Sequence, residues 1–162
     1  MATPAPASSV SLLSHALGEE VAALRKFIEL LQREQAFLKK ADSESLLPLI
    51  EEKNLLANRL GALAQARETA LQRLGLAAGR PGMEAWLAGA GKPNDRQVWQ
   101  TLIELATEAR DLNVLNGKLI GLHMQHNQQA FAALMNATDR AMTYGPDGQQ
   151  QAGLGGRILG TA

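Results

Sequence analysis

Val10-Ser11-Leu12-Leu13-Ser14-His15-Ala16-Leu17-Gly18-Glu19-Glu20-Val21-Ala22-Ala23-Leu24-Arg25-Lys26-Phe27-Ile28-Glu29-Leu30-Leu31 is the stretch whose reading decides the fold. Val10, Leu13, Leu17, Val21, Leu24, Ile28 and Leu31 recur at steps of three and four, and Leu38 resumes the series after Gln35 breaks it. That is a heptad seam, which places one apolar stripe of a long helix against another helix. Leu12, Ala16, Ala23, Phe27, Leu30 and Phe37 widen the stripe, so this helix, read over 10–40, is expected to touch two neighbours.

Downstream, Ala41-Asp42-Ser43-Glu44-Ser45 interrupts the period. Asp42, Ser43 and Ser45 can each cap a helix by accepting from free amides of its first turn. Pro48 favours Ser45, which keeps the proline in the first turn, over a start at Asp42 with a kink near Pro48. Leu46, Leu49, Leu56, Leu60, Leu63, Ala70 and Leu74 form a second seam, with the stems of Lys53 and Arg67 on its steps. Gly75 is the expected stop. The short connection makes the first two helices antiparallel.

Gly75, Gly79, Pro81, Gly82, Gly89, Gly91 and Pro93 punctuate a connector, in which 83–88 can form one or two helical turns held down by Trp86. A third long helix is expected from Asn94 or Asp95 to about Thr138. Its early seam reads Val98, Leu102, Leu105, Ala109, Leu112, Leu115, Leu119 and Leu122. A second stripe of Ile120, Met124, Phe131 and Leu134, with Asn127 between, is rotated from it by one residue, roughly 100°. Heptad drift supplies only about 20° per repeat, so the late half offers apolar side chains on two sides, either as core or as a partner surface. A break near Gly117 or Gly121 is the alternative to one continuous helix.

The fold expected is all-α: an elongated antiparallel bundle of three long helices with a short connector helix and a flexible C-terminal tail. In domain terms this is a disordered segment over 1–9, a helical bundle over 10–142 and a flexible partner-binding tail over 143–162.

Composition narrows the function. The 162 residues carry 16 basic and 16 acidic side chains, a balance unlike that of a nucleic-acid binder or of an anchor on an anionic membrane. Cysteine is absent, which removes disulfides and thiolate metal sites. Residues 1–9 lack the basic patch and apolar run of a secretory signal, and no apolar run suits a membrane span. Aromatics are only 4%, so Leu and Ala dominate the apolar content and favour narrow helical seams. No phosphate-binding loop is present. His123 and His126 are three apart but have no third ligand nearby, and His15 could serve phosphotransfer only without a basic neighbour. Glu29, Glu34 and Glu51-Glu52-Lys53 read as charged helix surface. Neither a catalytic residue, a metal site nor a cofactor is expected.

The order of features carries a resemblance. Glu51-Glu52-Lys53-Asn54-Leu55-Leu56 lies on the second helix, Trp99 follows the connector, and Asp111-Leu112-Asn113-Val114-Leu115-Asn116-Gly117-Lys118-Leu119-Ile120 lies on the last helix. Asn127-Gln128-Gln129-Ala130 and Tyr144-Gly145-Pro146-Asp147-Gly148-Gln149 follow. From about Leu24 to Gln149 the chain resembles the FlgN family of flagellar type III export chaperones. The resemblance implies a cytoplasmic, non-enzymatic chaperone that binds the hook–filament junction proteins, hook-associated proteins one and three. It implies delivery of those clients to the membrane protein of the export gate, with the export ATPase complex as a further candidate partner.

On that reading Asn113, Asn116, Gly117, Leu119, Ile120, Met124, Asn127, Phe131 and Leu134 are the candidate client-binding residues. Tyr144, Gly145, Asp147 and Gly148 are the candidate docking residues for the gate. No nucleic acid and no direct membrane insertion are expected, and the oligomeric state stays open. The competing readings are a structural or regulatory coiled-coil oligomer with no export role, an export chaperone with another client such as the filament cap, and a phosphotransfer module using His15.

Overall fold

A computed structural model describes residues 7–143, and the side chains of residues 10–139. Every described element is a helix: α1 (Ala7–Lys40), α2 (Ser43–Arg73), α3 (Gly79–Gly89) and α4 (Pro93–Thr143). No strand occurs among the described residues. The chain divides into two compact units, the first reaching Ile120 and the second beginning at Gly121.

In the first unit, α1 buries the seam read from its sequence. Leu13, Leu17, Leu24, Ile28, Leu31 and Leu38 are all buried, and Val10 and Val21 pack against them. The helix begins at Ala7, three residues ahead of the periodic segment. It ends where Ala41 takes a left-handed backbone, φ 54°. The Asp42 amide then reaches the Phe37 carbonyl at 3.0 Å and the Ala41 amide reaches Leu38 at 3.1 Å, closing the last turn.

The start of α2 differs from the expected cap at Ser45. Asp42 is the cap: Oδ1 accepts from the Ser45 amide at 3.2 Å and Oδ2 from the Ser45 hydroxyl at 2.7 Å. Pro48 therefore lies inside the helix. It removes one bond, to the carbonyl of Glu44. Both residues are exposed, so water can take that carbonyl, and the two bonds to Ser45 hold the first turn at Asp42. At the other end Gly75 sits at φ 70°. Its amide meets the Gln72 carbonyl at 2.9 Å and the Leu76 amide meets Leu71 at 3.0 Å, the double closure that favours glycine there.

The connector helix is longer than its sequence suggested. α3 has 11 residues, with Pro81 in its first turn where a proline costs little. Gly82 permits it: a Cβ at that position would overlap the carbonyl oxygen of Ala77. Met83, Trp86 and Leu87 plug into the core formed by Leu13, Leu17, Leu71 and Leu102. Trp86 acts as an apolar plug: its buried Nε1 has no hydrogen-bond partner among the described residues.

Helix α4 opens with Pro93. Asp95 Oδ2 accepts from the Lys92 amide at 2.8 Å, satisfying a donor just ahead of the helix. The helical backbone runs through Gly117 and Gly121 without a break. Two levels of contact give the directions within the first unit. Glu20, Arg67 and Trp99 meet at one level, Arg67 pairing with Glu20 at 2.9 Å and stacking over the Trp99 ring at 5.3 Å. Glu34, Lys53 and Asn116 meet at the other. Numbering rises along α1 and α4 and falls along α2 between these levels, so α2 is antiparallel to both.

Candidate functional site

The packing stripe of α4 in the first unit is a strict alternation of fours and threes: Val98, Leu102, Leu105, Ala109, Leu112, Asn116 and Leu119 are buried or half-buried. This corrects the expected seam, which followed residue type and ran through Leu115. Leu115 is exposed. The period requires a step of four after Leu112, and that step is Asn116.

Asn116 is 1% exposed. Its Nδ2 donates to the Leu31 carbonyl and to Glu34 Oε2, both at 2.8 Å. Lys53 Nζ donates to both Glu34 oxygens at 3.0 Å. A polar rung thus ties α1, α2 and α4 together inside an apolar seam. Asn116 faces inward, so it cannot belong to an exposed contact face. Glu34, expected on the charged surface, is buried at this rung. Glu29, Glu51 and Glu52 are exposed. A second rung sits at Arg67, whose guanidinium pairs with Glu20 and with Glu68 at 2.8 Å, while Glu68 Oε2 accepts from the Gly79 amide at 2.7 Å and so anchors the start of α3. The sequence carried a signal for both rungs, because Lys53 and Arg67 stand on the steps of an otherwise apolar seam.

Of the other candidate residues in the first unit, Asn113 and Gly117 are exposed, Leu119 is half-buried and Ile120 is partly exposed. The Cα of Gly117 faces open space.

The second unit, by itself, is the C-terminal part of α4, and it keeps its apolar side chains in solvent. Phe131 is 64% and Leu134 63% exposed, and Met124 and Leu122 are comparably open. Met124, Asn127, Phe131 and Leu134 alternate by three and four along one face of the helix, with Met135 beside them and Leu122 on the opposite side. Between Gly121 and Thr138 there is no Asp, Glu, Lys or Arg. Leu122, expected in the seam, is instead exposed, and so is Met135. Tyr144, Gly145, Asp147 and Gly148 lie outside the described residues.

His15 and His126 are exposed, and His123 is half-buried. Among the described residues no group of three or more His, Cys, Asp or Glu side chains could hold a metal ion. No described helix is long and apolar enough to cross a membrane.

Such a molecule is a helical-bundle protein whose last helix carries an apolar face that is exposed among the described residues. It belongs to the FlgN protein family, whose model matches residues 3–152. It is 30% identical over 154 residues to the flagella synthesis protein FlgN of Yersinia enterocolitica, covering 93% of this chain and 98% of that one. It is 28% identical over 141 residues to the FlgN of Proteus mirabilis, covering 86% and 90% of the two chains. The crystal structure of a flagella synthesis protein FlgN from Pseudomonas aeruginosa shares the fold, with a TM-score of 0.61 at 20% identity over 83% of this chain and 98% of that one.

Proposed function

We propose that this protein is a cytoplasmic, non-enzymatic chaperone of flagellar export that binds the hook–filament junction proteins, hook-associated proteins one and three. It shields their terminal helices and delivers them to the type III export gate. The observation that carries this reading is the α4 face of Met124, Phe131 and Leu134, which is apolar, uncharged and exposed in a member of a flagella synthesis family.

An amphipathic client helix finds on that face a row of anchors at matching helical steps. Each anchor contributes about 1.5–3 kcal/mol on burial, before the ordering costs of association. Asn127 lies within the row and gives it a polar register mark. Asn113 and Gly117, exposed on the first unit, remain proposed client contacts together with Leu119 and Ile120. The segment containing Tyr144, Gly145, Asp147 and Gly148 is proposed as the docking element for the gate.

The test is a binding titration of the full chain against the C-terminal segments of the two junction proteins, with flagellin as control. Binding to the junction segments alone, lost in the double variant Phe131→Ala, Leu134→Ala while the helical signal persists, supports the reading. Equal affinity of that variant removes this face from the site, and no binding to either segment removes the client assignment. Gate binding by the client-loaded Tyr144→Ala variant, if undiminished, removes the docking role of the tail.

A further inference from the structure

The first unit carries an open groove between α3 and the start of α4, about 560 Å³ in volume, on residues that neither the client site nor the gate site uses. Leu87, Trp99 and Ile103, buried or half-buried, give it an apolar lining. The Arg67 guanidinium, 5.3 Å from the centroid of the Trp99 ring, holds that ring in place. Arg80, Glu84 and Arg96 also line the groove and are exposed. Arg80 is matched by Glu84 at 2.9 Å. Arg96 makes no hydrogen bond and no ion pair among the described residues, and neither does the ammonium of Lys92, next to the lining residue Pro93. The local balance is basic: from Arg73 to Arg96 four cations stand against two carboxylates, in a chain whose charges cancel overall. One of those carboxylates, Asp95, is buried and taken by the Lys92 amide, and the other is Glu84.

Arg96 lies in the first turn of α4, where the positive end of the helix dipole favours an acid over a cation. The fields of the helix start, Lys92 and Arg96 therefore add, with no carboxylate of the described chain paired to either side chain. We propose that the groove is the docking site for an acidic segment of a partner protein that carries one bulky apolar side chain beside its carboxylates. The apolar side chain, a leucine or phenylalanine, enters between Leu87, Trp99 and Ile103, and a neighbouring carboxylate makes a two-pronged pair with Arg96. The fixed Trp99 ring lowers the ordering cost of that contact. A basic segment would set like charge against Arg96 and Lys92. An anionic bilayer would match the cations but leave the recessed apolar lining unfilled. The site stands independently of the client assignment, because the two share no residue.

Calorimetric titration of the full chain tests this with three probes: short synthetic peptides in which a leucine or phenylalanine is flanked by glutamates, the same peptides with lysines for the glutamates, and phosphatidylglycerol vesicles. The glutamate peptides bind, and the other two probes do not. Arg96→Glu weakens the glutamate peptides about tenfold or more, because it replaces an attraction by a repulsion. Arg25→Glu makes the same change of net charge on an exposed site of α1, outside the groove, and leaves the affinity unchanged. Both arginines are exposed and unpaired among the described residues, so the helical signal persists in both variants. In nuclear magnetic resonance spectra of the wild type, the glutamate peptides shift the indole N–H signal of Trp99, identified by its loss in Trp99→Phe. A wild type that binds no glutamate peptide overturns the proposal, as does equal binding of the lysine peptides. Binding to the vesicles alone overturns it in favour of a lipid surface. Equal losses in Arg96→Glu and Arg25→Glu, or an unmoved Trp99 signal in the bound state, remove the groove as the site.

Discussion

The side-chain amide of Asn116 on α4 donates to Glu34 Oε2 on α1 at 2.8 Å, within a seam whose neighbouring steps, Leu112 and Leu119, are leucines. Asn116 Oδ1 is buried and has no partner among the described residues, where the residue is held by its two donors. A polar group inside a helical seam costs stability relative to a leucine and fixes register in return. The Glu34 carboxylate can be matched in only one alignment of the three helices.

Removing the donor leaves one lone pair of the Leu31 carbonyl and one of Glu34 unmatched. Asn116→Ala is expected to lower unfolding stability by about 1–3 kcal/mol in urea denaturation. Asn116→Asp is expected to cost more, because it sets a second carboxylate against Glu34. If Asn116→Leu left the protein both more stable and uniquely packed, the register role would be wrong.

Two of the ion pairs between α1 and α2 separate by burial. Lys53 faces a Glu34 that is almost fully buried, whereas Arg33 and Glu52 are both about half exposed. Lys53→Met strands a buried carboxylate and is expected to cost about 3 kcal/mol, the lower end for a broken buried pair because Lys53 keeps some solvent contact. Arg33→Met is expected to cost under about 1 kcal/mol. Chemical denaturation of both variants side by side checks the ordering, and equal losses would count against it.

Much of this architecture was legible in the chain because period is a strong signal. The α1 seam from Leu13 to Leu38 is buried as spaced, and Gly75 ends α2 in the left-handed backbone expected of it. The errors came where residue type and spacing disagreed. Reading Leu115 into the α4 seam followed hydrophobicity, while the period placed Asn116 there. A glutamate usually sits at the surface, and it takes Lys53, 19 residues away, together with Asn116 to make the burial of Glu34 tolerable. The α2 cap turned on a contest between Pro48 and Asp42, and two hydrogen bonds to Ser45 decide it. The length of α3 depended on a backbone approach of Ala77 to Gly82, which no periodicity encodes.

That approach gives a sharp contrast between two glycines. Gly82→Ala places a methyl group on the Ala77 carbonyl, so α3 must shift and Met83 and Trp86 with it. A loss of at least about 2 kcal/mol is expected, in the range of overpacked sites. Gly61→Ala in α2 meets open space and is expected to stabilise by about 0.5–1 kcal/mol through helix propensity. Thermal unfolding of the pair distinguishes a packing role from a general glycine effect.

Ala41 holds the left-handed backbone that closes α1, and an L-residue with a Cβ is disfavoured there. Ala41→Gly is expected to raise unfolding stability by up to about 1 kcal/mol, offset in part by the greater freedom of glycine in the unfolded chain. A destabilised Ala41→Gly variant would mean that the Ala41 methyl makes a contact worth more than the relieved strain.

The cap of α2 predicts a pH dependence of definite sign. The hydroxyl of Ser45, and then its backbone amide, stabilise the charged form of Asp42 and hold its carboxyl below the ordinary aspartate value. Folding therefore binds the proton less tightly than the unfolded chain does. The stability this contributes is fully present above the unfolded value, near pH 4, and is lost as pH falls through the lower folded value. Asp42→Asn keeps an acceptor for the Ser45 amide but cannot titrate. Denaturation midpoints of wild type and Asp42→Asn measured from neutral pH down to about pH 3 should therefore converge on the acid side. Parallel curves over that range would show that Asp42 does not titrate with folding, and the cap would then act through geometry alone.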